Sequence, residues 1–396
     1  MSRHTAHFAL LLLAMAAAPA AAAGADVEPH ALVRELGASQ DRIAGGDHGA
    51  FAALRGRMTE IGALLLDAEP QVWKEPRNSR ALLLYVLSGG DPKVLRTLLA
   101  RGPLAGVDEA MARGVLAYGE GRQEDAKEDL GSIDALKLEA SLAGHVSLIQ
   151  AVLSLRTDPE RAERHLDAAR LLEPGTLVEE AALRRQVFVA AEQQNLHRFE
   201  MLAVQYLRRF PRSVYAESFR TAFAVEVCRL AYAEDPLRRS QLEAQLAVLP
   251  DQERRILYLL IGRAAVLGGK IGLTGLAVEN AGRLVEQTGP DRERIKVYSG
   301  AALVVSEEFE KGRALLASVA RDALGDPERA IFEAALAVAS QVRRPSVVRE
   351  QIEEPPPPSE PKHLRSPPRV FASSKVLSKA QQAASDADQL LAGRSR

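Results

Sequence analysis

Apolar residues along this chain recur at intervals of three and four positions, from about residue 29 to residue 341. They form segments with apolar positions at i, i+3, i+4 and i+7, and Gly, Pro and Asp separate one segment from the next. That spacing places the apolar side chains on one face of a helix, and the separating residues end helices and form turns. Alternating strand patterns are almost absent. The pattern predicts an all-α body.

The helical segments also repeat at a nearly constant period. Equivalent positions in six successive copies lie near residues 126, 162, 199, 238, 274 and 312, in steps of 36 to 39. In the first copy, Gly121 is expected to form the turn, Ala126 to allow close approach of the second helix, and Leu130 to pack between the two helices. Two further helical pairs are expected upstream. This period resembles the tetratricopeptide class, in degenerate form. We therefore predict an α-solenoid, a superhelix of helix–turn–helix pairs with a concave inner wall.

The first 25 residues have a different character. Arg3 lies in a short polar head, an apolar stretch follows from Phe8 to Ala18, and small residues lead to Ala25. The apolar stretch is shorter than the roughly 20 residues that span a bilayer, whereas a secretory signal has this layout. Residues 1–25 are therefore predicted to be a cleaved signal peptide, with an uncleaved membrane anchor as the alternative. Export in this way predicts a periplasmic protein.

Composition changes again after the helical body, which is predicted to span residues 26–342. Residues 343–371 are rich in proline and are predicted to be a disordered linker. Residues 372–396 are predicted to form a short amphipathic helix or a disordered tail. From Arg343 onward, ten Lys or Arg stand against six Asp or Glu. Because the whole chain has a net charge of −1, a basic tail follows an acidic body.

The stretch "PGTLVEEAALRRQ" groups acids and bases in a way that first suggests a reactive site. Thr176 and Glu179 have the spacing of a capping box, in which each side chain bonds the other's backbone N–H. Glu180 and Arg184 lie one helical turn apart, in the order that favours an ion pair. The charges are therefore predicted to build a helix start rather than to catalyse a reaction.

Other candidate chemistry is equally weak. The histidines are scattered without zinc-ligand spacing, and Cys228, the only cysteine, is predicted to be a buried thiol. Glu217 and Ser218 resemble the Glu-Ser pair of lytic transglycosylases, but the Gly-x-x-Gln segment that should follow is missing. The sequence predicts no enzyme, no metal and no cofactor.

Several local strings are more specific than a general repeat consensus. "LVRELGASQDRIAGGDH", "PRNSRALLLYVLSGGDPKVLRTLLA", "LLEPGTLVEEAALRRQ" and "YLRRFPRSVYAESF" are similar to segments of the MotC periplasmic motility proteins of alphaproteobacteria. The resemblance implies an exported, non-enzymatic part of the flagellar motor that associates with the periplasmic part of the stator subunit MotB. Composition alone supports a secreted helical-repeat scaffold, and the alternative function is a periplasmic scaffold for cell-wall or secretion machinery.

One segment is the candidate partner-binding surface. "YLRRFPRSVYAESF" places arginines beside tyrosines, and both residue types are enriched at binding hot spots. The alternative interpretation is that Tyr206 and Tyr215 are core residues and the arginines a solvated helix end. The predicted partner-binding residues are Glu180, Arg184, Arg208, Arg209, Arg212 and Tyr215.

Overall fold

The structure is a computed structural model that describes residues 28–230, 232, 235–286 and 288–342. The predicted signal peptide, linker and terminal helix lie outside the described residues. Within these limits the chain forms seventeen α-helices and no strands, which confirms the all-α prediction. The helices are α1 Pro29–Ala44, α2 His48–Asp67, α3 Pro76–Leu87, α4 Pro92–Arg101, α5 Glu109–Gly119, α6 Gln123–Gly131, α7 Ala140–Ser154, α8 Pro159–Leu172, α9 Leu177–Glu192, α10 Leu196–Arg209, α11 Ala216–Arg229, α12 Pro236–Leu246, α13 Asp251–Leu267, α14 Ile271–Leu284, α15 Pro290–Leu303, α16 Phe309–Ala317 and α17 Asp326–Val342.

In chain order the first sixteen helices form eight consecutive pairs, and the two helices of a pair pack together except in α11–α12, where α12 packs mainly against α10 and α11 against α13. α17 packs against the last pair. The six predicted copies correspond to the pairs from α5–α6 to α15–α16, and the two pairs expected upstream are α1–α2 and α3–α4. The repeat positions lie near the start of each second helix. Ala126, Ala162 and Phe199 are fully buried there, whereas Arg238 is half-exposed. The period is thus the spacing between the starts of successive second helices, and the position is buried in most of them.

Five of the pairs share one turn geometry. The residue two positions after the first helix has a positive φ: Gly46 (102°), Gly89 (97°), Gly121 (77°), Gln194 (57°) and Gly269 (66°). The next residue donates its N–H to a helix carbonyl five positions back, as in the bonds Asp47–Arg42, Gly90–Tyr85, Arg122–Ala117, Asn195–Ala190 and Lys270–Ala265. This is the Schellman closure, which favours glycine at the left-handed position. Gln194 is the exception to that preference.

The hydrophobic core is divided along the chain. One cluster runs from Val33 to Ile149, and a second runs from Leu183 to Ala339. Ala44, at the end of α1, belongs to the second cluster, although Val33 and Leu36, earlier on the same helix, pack in the first. The first helix therefore touches the middle of the array.

The N-terminal half of the array closes into a ring. α1 contacts α3 and α9, α3 contacts α7, and α7 contacts α9, so these four helices enclose a cavity. The sequence predicted a concave inner wall, and the first helices of the pairs do line it. Closure of α1 onto α9 was not predicted, because it joins residues 136 positions apart.

Buried tyrosines connect helices, within a pair or between neighbouring pairs, in the second half of the array. Tyr206 donates its hydroxyl to Glu180 at 2.6 Å, and Tyr232 donates to Glu200 at 2.6 Å. Tyr298 likewise donates to Glu328, at 2.9 Å. The glutamates are at most 7% exposed. Because burial without a partner would be costly, each hydroxyl compensates a carboxylate that packing has removed from water.

Candidate functional site

Three of the predicted partner-binding residues, Glu180, Arg184 and Tyr215, meet where α9 lies beside the start of α11. The arginines Arg208, Arg209 and Arg212 lie at the end of α10 and in the loop that follows it. Glu180 is fully buried and accepts hydrogen bonds from Tyr206 and from Arg184, whose Nε lies 3.1 Å from its Oε1. The predicted i, i+4 ion pair is confirmed. Burial and the charge of Glu180 raise the pKa of Tyr206, so the phenol stays protonated. Glu180 therefore holds Arg184 and Tyr206 in position from within the core.

The neighbouring acid is also buried. Glu179 is 4% exposed, accepts the Gly175 N–H at 2.6 Å, and pairs with Arg209. Thr176 caps the helix through the Glu179 N–H at 3.4 Å, as expected. The predicted return bond from the Glu179 carboxylate to the Thr176 N–H is wrong, because the carboxylate reaches Gly175 and Arg209 instead. Arg209 thus compensates a buried charge.

The remaining predicted residues are accessible. Arg208 and Arg212 are exposed, and Tyr215 is half-buried beneath the Arg184 guanidinium, which lies 4.7 Å from the ring centroid. Phe51, on α2, meets the edge of the Tyr215 ring at 6.0 Å and is 46% exposed. We call Phe51, Arg184, Arg208, Arg212 and Tyr215 the seam surface. Sequence reasoning missed Phe51, since nothing local links it to α11.

The seam itself joins the α1–α2 turn to the α10–α11 loop. The Val214 N–H donates to the Ile43 carbonyl at 3.3 Å, and Gly46 packs directly against the Arg212 backbone. Beside it, the Leu177 N–H at the start of α9 donates to Asp41 at 3.2 Å. These contacts close the ring.

The cavity inside the ring, which we call the slot, has a volume of about 590 Å³. One end is lined by four basic residues and one acid that pairs with Arg80, and we call it the basic end: His30, Arg34, Arg77, Arg80 and Glu139. Asp41, His145 and Glu173 line the other, the acidic end. Sequence analysis did not single out these residues. The sequence feature that could have identified them is a polar residue on an otherwise apolar helix face.

At the acidic end, the charges of His145 and the nearby carboxylates affect one another's pKa values. Burial alone would lower the pKa of His145, but the hydrogen bond from its Nδ1 to Glu173 at 3.0 Å and the charge of that glutamate raise it. Partial burial raises the pKa of the Asp41 carboxyl, although the Leu177 N–H opposes the change. The cluster therefore favours a protonated imidazole between carboxylates.

In the described ranges, no three His, Cys, Asp or Glu side chains form a group that could hold a metal ion. Among the same residues, no helix is both long and apolar enough to cross a membrane. Cys228 is half-buried, and burial raises the pKa of its thiol to about 11.

Comparison with known proteins agrees with the resemblance found in the sequence. A family model described as Chemotaxis protein MotC matches residues 1–396. A curated protein of Rhizobium meliloti (strain 1021), Chemotaxis protein MotC, is 31% identical over 340 residues, which cover 85% of this chain and 77% of that protein. No solved structure matches. With a family model that spans its whole length and a relative that shares most of it, the chain belongs to the MotC family of chemotaxis proteins.

Proposed function

We propose that this chain is an exported, non-enzymatic scaffold of the flagellar motor. In this proposal it binds the periplasmic part of the stator subunit MotB and thereby supports motor rotation and swimming. Family membership over the full length of the chain is the observation that carries the proposal. The predicted signal peptide supports a periplasmic location.

The architecture suits a scaffold. The ring and the stacked pairs hold the seam surface in place before any partner arrives, so binding orders few side chains. The seam surface combines exposed arginines with Tyr215 and Phe51, and these residue types dominate binding hot spots. We infer that the partner contacts the seam surface.

Two arginines of this surface can be changed without disturbing the core. Arg208 and Arg212 are exposed, whereas Arg184 and Arg209 pair with buried glutamates. The double variant Arg208→Glu/Arg212→Glu should reduce capture of a purified periplasmic MotB fragment by at least about tenfold, since reversed charges at a hot spot cost about 1.4 kcal/mol or more. Lys93→Glu/Arg164→Glu is the matched control, because it makes the same charge change on exposed residues of α4 and α8, away from the seam surface.

Deletion of the gene tests the biological role. Cells that assemble normal filaments but fail to swim support the proposal, and cell fractionation checks the periplasmic location. Normal swimming together with defects in cell shape or envelope would instead indicate a scaffold for cell-wall or secretion machinery. If the double variant swims and binds like the wild type, the seam surface is not the contact.

A further inference from the structure

The slot has charges of opposite sign at its two ends. Along α1, Arg34, Gly37, Ala38 and Asp41 all line it, at the spacing i, i+3, i+4 and i+7. Residues seven apart share one helix face, and the rise of about 1.5 Å per residue places the two charged ends roughly 10 Å apart. A cation and an anion thus face the same cavity across two helical turns.

Space lies between those ends. A Cβ added to Gly37 would meet nothing within 4 Å, so the glycine leaves an opening along α1. The walls in this middle part include Ala81, Leu84 and Leu142. The centre of the slot is therefore lined by apolar side chains and carries no charge. The charged groups lie at its two ends.

The basic end retains unused donors. Arg34 forms no hydrogen bond or ion pair with any residue that the structure describes, and its side chain is exposed. Arg80 reaches Glu139 through Nε at 2.8 Å, and Arg77 reaches Glu28 through one Nη at 3.3 Å. Guanidinium groups of this kind bind carboxylates through parallel N–H donors.

The acidic end retains an acceptor. Asp41 accepts the Leu177 N–H through Oδ1 only, which leaves Oδ2 available. Glu173 accepts from His145 and is 12% exposed at its side chain. A phosphate or other simple anion would bind only at the basic end, and a simple cation only at the acidic end. A ligand that contacts both ends must carry both charges.

We propose that the slot binds a short free peptide of about three residues as a zwitterion. Its carboxylate lies at Arg34, Arg77 and Arg80, and its ammonium group lies at the free Oδ2 of Asp41, because His145 already pairs with Glu173. An extended chain spans about 3.3 Å per residue, so three residues match the separation of roughly 10 Å between the ends. The volume of the slot falls within the range of small-molecule sites. This site is separate from the seam surface and does not depend on the identity of the protein partner.

Titration calorimetry with trialanine and the full-length protein tests the proposal. Trialanine should bind, and its N-acetyl and C-terminal amide derivatives should each bind at least about tenfold more weakly, because each lacks one charge-assisted contact. Dialanine is too short to reach both ends and should also bind more weakly.

Variants locate the site. Asp41→Asn keeps the acceptor for the Leu177 N–H but removes the charge, and Gly37→Leu fills the slot in a helix that tolerates the larger side chain. Both should weaken trialanine binding at least about tenfold, since Asp41→Asn removes the charge that faces the ammonium group and Gly37→Leu fills the space between the two ends. The matched controls are Asp322→Asn, on an exposed residue, and Gly56→Leu, since a Cβ at Gly56 also meets nothing within 4 Å. They should bind like the wild type.

Three results would each overturn the proposal. Absence of binding heat at about 10 mM trialanine would place any affinity below the range of a specific site. Equal binding of the capped and free peptides would show that the terminal charges of the peptide do not contribute to binding. Unchanged binding by Asp41→Asn and Gly37→Leu would place the peptide elsewhere on the protein.

Discussion

Replacing Gly46 by alanine should open the seam between the α1–α2 turn and the α10–α11 loop. A Cβ at this position would lie 2.3 Å from the Arg212 carbonyl oxygen, and the backbone φ of Gly46 is 102°. The neighbouring atom is backbone and cannot rotate away. The turn must therefore retreat from the loop by roughly 1.1 Å to restore an ordinary contact distance of 3.4 Å.

Two effects set the size of the loss. Left-handed backbone costs an L-residue about 1–2 kcal/mol, and the stiffer unfolded chain returns about 0.4–1 kcal/mol of that. Opening the seam also removes the Val214–Ile43 hydrogen bond and the Phe51–Tyr215 ring contact, each of which contributes about 0.5–1.5 kcal/mol. We expect a total loss of about 2–4 kcal/mol in the free energy of unfolding.

Other turns of the same type supply controls. Gly89 and Gly121 have φ of 97° and 77°, and a Cβ there meets only the flexible end of Met58 at 3.7 Å or nothing at all. Gly89→Ala and Gly121→Ala should therefore show the backbone cost alone, about 1 kcal/mol or less.

Urea unfolding followed by circular dichroism gives the free energies, and hydrogen exchange at the Val214 amide reports the seam directly. Gly46→Ala should accelerate exchange at Val214, whereas the two controls should leave it unchanged. If Gly46→Ala costs no more than Gly89→Ala and leaves Val214 protected, the ring is not held closed by this contact, and the account of the seam is wrong.

Three further predictions follow from single contacts. Tyr206→Phe removes the hydroxyl that donates a hydrogen bond to Glu180 inside the core, and it should cost about 1.5–3 kcal/mol in unfolding free energy. The Tyr118 hydroxyl bonds no described residue, so Tyr118→Phe should cost less than half of that. Gln194→Gly relieves a positive φ of 57° and should stabilise the protein by about 0.5–1 kcal/mol in urea unfolding, and a loss of stability there would contradict the strain assigned to this turn. His145 has a raised pKa in the folded protein, so its contribution to stability is full below the unfolded pKa of about 6.5 and is lost as pH rises through the folded value. His145→Gln should therefore reduce the dependence of the unfolding free energy on pH between about pH 6 and pH 8. An unchanged dependence would exclude this coupling.

The helices and their pairing could be predicted because their causes are local. Ala126 and Ala162 are buried at the same place in successive pairs, and Gly121 has the φ that its turn requires. Apolar spacing, caps and turn glycines act over a few residues, so a single sequence records them. The helix-pair period followed from the same residues.

The ring and the burial of the acids could not be predicted in this way. Glu180 was expected on a partner surface because a charged residue is usually exposed. Its burial depends on Tyr206, which lies on the next helix and supplies the compensating hydroxyl. Closure of α1 onto α9 depends on contacts such as Asp41 with Leu177, and no periodic pattern links residues so distant. The slot was missed for the same reason, since it exists only once the ring is closed.

Closure of the ring also determines how the array can unravel. In an open solenoid each unit touches only its neighbours, so both ends fray. Here the first described helix is tied to the middle of the chain by a contact spanning 136 residues, whereas α17, the last described helix, packs mainly against the last pair. Fraying should therefore proceed from the C-terminal end. During folding, α1 must wait for α9, which gives this helical protein a slow, high-contact-order step that local helix pairing alone would not impose.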